Sequence, residues 1–208
     1  MNELAATLGM WSSVVYFVLG VAYVVAIGSG FVSNRTLNDP VRDPHLAIAE
    51  TLILLMAPVM VTLSVAVHSS APPDARPYTL IALGWMVAAA ATTSIVHFVE
   101  LTVGRQLERG HLSGHEQIFG FRWPAIFYAV DIVAWDIFFA LALLFAVPAF
   151  DGEPAIQAGF ATSGVLALVG LVGPVAGRIH WRGIGIFGYA VVFPATCLPL
   201  SRYFATLS

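Results

Sequence analysis

The chain has 208 residues, 59% of them hydrophobic and only 10% charged, with a net charge of −3 and a mean hydropathy of +0.85. A soluble domain carries about 25% charged residues, so this composition excludes a soluble globule, a disordered chain, a coiled coil, a disulfide scaffold and a nucleic-acid binder. It points to an all-α, polytopic integral membrane protein.

A bilayer core about 30 Å thick is crossed by about 20 apolar residues in a helix. Six stretches qualify: 9–30, 47–68, 78–103, 124–150, 156–177 and 183–205. Their long apolar runs lack the period-two alternation of barrel strands. Turn signals separate them at Asn38-Asp39-Pro40, Ala71-Pro72-Pro73-Asp74, Asp151-Gly152-Glu153-Pro154 and Gly177-Arg178. The expected fold is one six-helix transmembrane domain spanning 1–208. Pro58, Pro148, Pro174 and Pro194 read as kinks, since neighbouring helices can re-satisfy the freed carbonyls. Residues 1–10 hold no positive charge, so the first span does not read as a cleavable signal.

All nine cationic side chains are arginine. Without lysine there is no retinal Schiff base and no pyridoxal aldimine. The single cysteine, Cys197, allows neither an intrachain disulfide nor a Cys-x-x-Cys pair. Arg35, Arg42, Arg105, Arg109, Arg122, Arg178 and Arg182 fall in the first, third and fifth loops, against Arg76 and Arg202 at the other end. By the positive-inside rule both termini face outward. The alanine-rich composition suggests a prokaryotic plasma membrane.

Charge inside a bilayer costs several kcal/mol unless paired or solvated, about 2.5 to over 10. The embedded ionisable residues therefore carry the functional signal: Glu50 opening the second span, His97 and Glu100 late in the third, and Asp131 and Asp136 in the fourth. The alternating topology sets them in one half of the bilayer. Thr93, His97 and Glu100 share a helical face, as do Tyr128, Asp131 and Trp135. At 100° per residue, Asp131 and Asp136 lie about 140° apart. One is expected to face a cavity and the other a neighbouring helix.

An undissociated carboxyl in an apolar pocket can protonate an alkene, epoxide or carbonyl while an ionised partner takes a proton or steadies a cation. Tyr23, Thr93, Tyr128, Trp135 and Tyr189 could line such a pocket, with ring faces toward cationic character. The first expectation is an intramembrane isomerase, cyclase or hydratase. Glu50, His97, Glu100, Asp131 and Asp136 would be catalytic, and the substrate an apolar lipid or isoprenoid. The second is a proton-coupled transporter or channel, because intramembrane acids also mark proton relays. The third is a non-catalytic subunit recruiting a partner helix. Blander roles stay open: Glu50 suits an interfacial acid, and His97 and Glu100 suit pairing with each other or with Arg105. The layout looks broadly like membrane isomerase and terpenoid-cyclase groups, without matching residues.

Other motifs carry less. The loop string from His111 through His115 to Glu116 has two histidines four apart, but glycines interrupt it and the glutamate position of a zinc protease helix is wrong. No metal and no cofactor is expected. Ser163-Gly164 is reminiscent of intramembrane serine proteases, but without a histidine on the last span. Gly173, Gly177, Gly183, Gly185 and Gly188 read as close helix packing. Trp11, Trp123, Trp181 and Tyr203 read as interface anchors. The partners expected are membrane lipids, with a homo-oligomer allowed and no nucleic acid.

Overall fold

A computed structural model describes residues 3–33, 41–109, 114, 116–120 and 123–207. Among the described residues there are six long apolar helices, each long enough to cross a membrane: α1 Glu3–Ser33, α2 His45–Ser70, α3 Pro73–Leu107, α4 Ile126–Phe150, α5 Pro154–Val175 and α6 Ile179–Leu207. A short helical piece, Glu116–Phe119, lies between α3 and α4. The Asn38-Asp39-Pro40 turn, Arg35, Arg122 and both histidines of the loop string, His111 and His115, lie outside the described residues.

Local chemistry places the helix starts. Pro73 and Pro154 occupy first-turn positions, where a missing N–H costs nothing and the fixed φ suits a helix. α5 ends at a turn with Gly177 at φ +68°, a left-handed conformation that glycine alone adopts freely. Gly177 is thus a turn residue, and Gly183 has no neighbour within 4 Å of an added Cβ. Neither serves helix packing. Gly173, Gly185 and Gly188 do.

Each helix packs on its neighbours in sequence, and α6 closes the ring onto α1. Large apolar side chains such as Val25, Leu55, Leu80, Ile95, Phe98, Val165 and Leu198 point outward, as a lipid-facing surface requires. The interior is filled by Tyr16, Met60, Phe139, Leu143, Phe160, Phe193 and Leu200. The ring order leaves one central axis on which residues from different spans meet.

The helices depart from α geometry at defined places. Wide π turns run over Glu100–Gly104 in α3, Val133–Phe139 in α4 and Gly188–Val192 in α6. Such bulges frequently mark functional sites. The α6 bulge immediately precedes Pro194, whose missing N–H and bulky ring disturb the preceding turn. Pro148 lies in a 3₁₀ turn closing α4, and Pro174 lies in the last helical turn of α5. Pro58 sits within helical α2.

Candidate functional site: an embedded ion network

Five side chains from four helices form one continuous chain. His97 on α3 uses both ring nitrogens: Nδ1 meets Glu50 Oε2 on α2, and Nε2 lies 3.2 Å from Asp131 Oδ1 on α4. Arg182 on α6 donates from its terminal nitrogen to Asp131 Oδ2 at 3.0 Å and from Nε to Asp136 Oδ2 at 3.2 Å. The order is Glu50, His97, Asp131, Arg182, Asp136. All five are buried, and none exceeds 3% exposure. Three carboxylates face one guanidinium and one imidazole. With His97 charged the sum is −1, so one further proton neutralises the group.

The secondary structure explains the convergence. Glu50, Asp131 and Arg182 each sit close to the start of their helix, and His97 ten residues before the end of α3. All four therefore lie within about 5–15 Å of one end of the bundle. The π segment of α4 corrects the expected 140° separation of the two aspartates. Its i→i+5 turns bring residues five apart toward one face, so Asp131 and Asp136 both reach Arg182. Neither is turned away from the other.

Arg182 is the residue that sequence reasoning missed. Counted as a loop charge, it is instead the buried first residue of a helical stretch, following the 3₁₀ turn Ile179–Trp181. Glycines make room for it. A Cβ on Gly173 would stand 2.7 Å from the Arg182 backbone nitrogen. The available signal was apolar Ile179 and Trp181, which continue the last span upstream of 183. Moving Arg182 inward leaves six arginines in or next to the first, third and fifth loops against two at the other end, so the charge asymmetry persists.

Asp136 is also enclosed by glycine. An added Cβ on Gly170 would lie 2.7 Å from Asp136 Oδ1, and one on Gly185 would collide with the same atom. Oδ1 has no hydrogen-bond partner among the described residues. The carboxyl thus reaches the α5–α6 crossing with one oxygen on Arg182 and the other against glycine backbone.

The remaining expected residues divide. Thr93 accepts a hydrogen bond from Trp135 Nε1 at 3.0 Å, tying α3 to α4 beside the network. Trp135 packs on Tyr189 at 5.1 Å between centroids. The Arg182 guanidinium lies 4.7 Å from the Tyr128 ring centre, a cation–π distance. Tyr23 on α1 is within electrostatic reach of Glu50, Asp131 and Arg182. Glu100 is buried one turn beyond His97, its carboxylate against Gly104, where an added Cβ would stand 2.9 Å from Oε2.

Arg105 binds Asp43 at 2.5 Å in a partly exposed pair at the helix end. Glu50 is buried against His97. Ser163 donates to the Gly188 carbonyl at 2.9 Å, so its hydroxyl braces α5 against the α6 bulge.

The described cavity lies elsewhere on the axis. It measures about 20 Å³ and is lined by Met60, Ser64, Thr79, Met86, Phe160 and Phe193 among others. That is toward the opposite end from the acids. Between the two lies a layer of rings: Trp135, Phe139 and Phe193 follow one another at 5.3 and 5.2 Å. No protein-family model, curated protein or solved structure matches this chain.

Proposed function

We propose that this multi-pass membrane protein is a proton-coupled transporter in which the Glu50–His97–Asp131–Arg182–Asp136 chain holds and passes the proton. The observation that carries the reading is His97 joined at both nitrogens to carboxylates from different helices. An imidazole can accept a proton at one nitrogen and release one from the other, so Glu50 and Asp131 become the two sides of one relay. Arg182 cannot release its own proton. It therefore interrupts direct transfer from Asp131 to Asp136 and answers protonation by shifting its weight between them. Three π segments close to this region supply helices able to change register. The aromatic layer closes the axis, as a transporter requires between alternating openings. The arginine distribution supports both termini outside and the acid-bearing end toward the cytosol of a prokaryotic plasma membrane.

A second reading is acid–base catalysis on an apolar lipid or isoprenoid. It is favoured by the aromatic surround of Tyr23, Tyr128, Trp135 and Tyr189. It asks for a substrate-sized chamber against the acids, and the described cavity stands on the far side of the ring layer. Proton handling uses more of what is present.

The test is reconstitution in liposomes with an internal pH dye and an imposed potassium diffusion potential. Wild-type protein acidifies the lumen. His97→Gln and Asp136→Asn lower the rate about tenfold or more, with folding checked separately. Wild-type vesicles no faster than empty ones refute transport. A single isoprenoid species recurring in the lipid extract would then favour the enzyme.

A further inference from the structure

The end of the bundle away from the acids carries polar groups of its own. His68, in the last turn of α2, places Nδ1 2.9 Å from Thr79 Oγ1 on α3. The Thr79 hydroxyl also lies 3.1 Å from the Arg76 carbonyl and 3.3 Å from that of Ala75. With its proton on a backbone carbonyl, the hydroxyl accepts from Nδ1–H, and Nε2 keeps its lone pair. Thr79 and Ser64 line the cavity described above. At about 20 Å³ it exceeds the ~10–15 Å³ that one water needs, and two hydroxyls supply polar partners. Phe193 lines it too and touches Phe139 and Tyr16 at 5.2 and 5.0 Å. One ring layer thus separates this place from Trp135 and its neighbour Asp136.

We infer that His68, Thr79 and the Ser64–Thr79 cavity form a second proton station, exchanging protons between the bundle axis and the water phase opposite the acid network. The inference rests on the proton-transport reading and supplies the exit that the acid network lacks. The step balances. His68 Nε2 gains a proton from hydronium. Nδ1 gives its proton to Thr79 Oγ1, and the Thr79 hydroxyl hydrogen swings off its backbone carbonyl and passes to a cavity water. One proton enters and one leaves, and every heavy atom keeps its bonds. Among the described residues, the charged groups at this end of the bundle are Glu3 at the start of α1, Asp74 and Arg76 at the start of α3, Asp151 and Glu153 after α4, and Arg202 near the end of α6. Among the described residues no carboxylate pairs with His68.

Two measurements decide it. Radiolytic hydroxyl-radical labelling reports water inside membrane proteins through methionine oxidation. Met60 and Met86 line the cavity, whereas Met56 is similarly buried outside it. Met60 and Met86 should oxidise about fivefold faster than Met56; equal rates overturn a water-bearing station whether or not the protein transports. In proteoliposomes, His68→Gln and Thr79→Val should each slow proton flux about tenfold. They should leave unmasking of the Cys197 thiol on heating unchanged. Wild-type flux with undiminished variants overturns the station and leaves transport standing. Absent wild-type flux overturns transport, and the methionine ratio then decides the cavity by itself.

Discussion

Replacing Arg182 with methionine keeps the aliphatic stem and removes the guanidinium. Asp131 and Asp136 then lose the partner held at 3.0 and 3.2 Å. Each pair at that distance is worth about 5 kcal/mol at an effective dielectric near 20. Most of that is offset by the desolvation already spent in burying the ions. Breaking a buried pair nets about 3–5 kcal/mol of destabilisation, and we take about 4 for Arg182→Met. For a chain of this size that lowers the melting midpoint by about 10 °C. Cys197 is the sole cysteine and fully buried, so a fluorogenic maleimide reports unfolding without labelling the native state. Adding Asp131→Asn and Asp136→Asn to Arg182→Met should recover at least half the loss, because a neutral network has no uncompensated charge. An Arg182→Met protein melting within about 2 °C of wild type would refute the claim that this guanidinium holds the network. A triple variant no better than the single one would show that packing, not charge, was lost.

Other outcomes follow from the same contacts. Gly170→Ala drives a Cβ to 2.7 Å from Asp136 Oδ1 and 2.9 Å from the Gly185 Cα, and should cost about 1–3 kcal/mol. Gly84→Ala meets nothing within 4 Å and should melt at or slightly above wild type; similar midpoints for the two would sink the packing argument. Thr93→Val leaves the Trp135 N–H without its acceptor and should cost about 1–3 kcal/mol, whereas Thr93→Ser should retain most of the stability by the same thiol assay. Asp43→Asn breaks the Arg105 pair, whose side chains are 45% and 29% exposed. It should cost no more than about 1 kcal/mol, and a loss comparable to that of Arg182→Met would contradict the contrast drawn between surface and embedded pairs.

The six spans were legible because bilayer thickness imposes length and apolarity on each helix independently of its neighbours. The same local cost made Glu50, His97, Glu100, Asp131 and Asp136 conspicuous. Their shared depth followed from strict alternation of direction, which needs no knowledge of packing.

What the sequence by itself determined is therefore what one helix in one solvent sets: the number of spans, their approximate limits and the shared end of the bundle for Glu50, His97, Glu100, Asp131 and Asp136. Tertiary structure alone decided which groups meet. A π bulge cannot be read from a 100° wheel, so the two aspartates looked divergent until α4 widened between Val133 and Phe139. Arg182 looked like a loop charge because its burial depends on close approach to Gly173 and on two acids belonging to another helix. His97 became a bridge only when α2 and α4 stood on either side of it. Side-chain pairing across helices is a property of ring order and rotation, and neither is encoded in hydropathy, which depends only on composition along the chain.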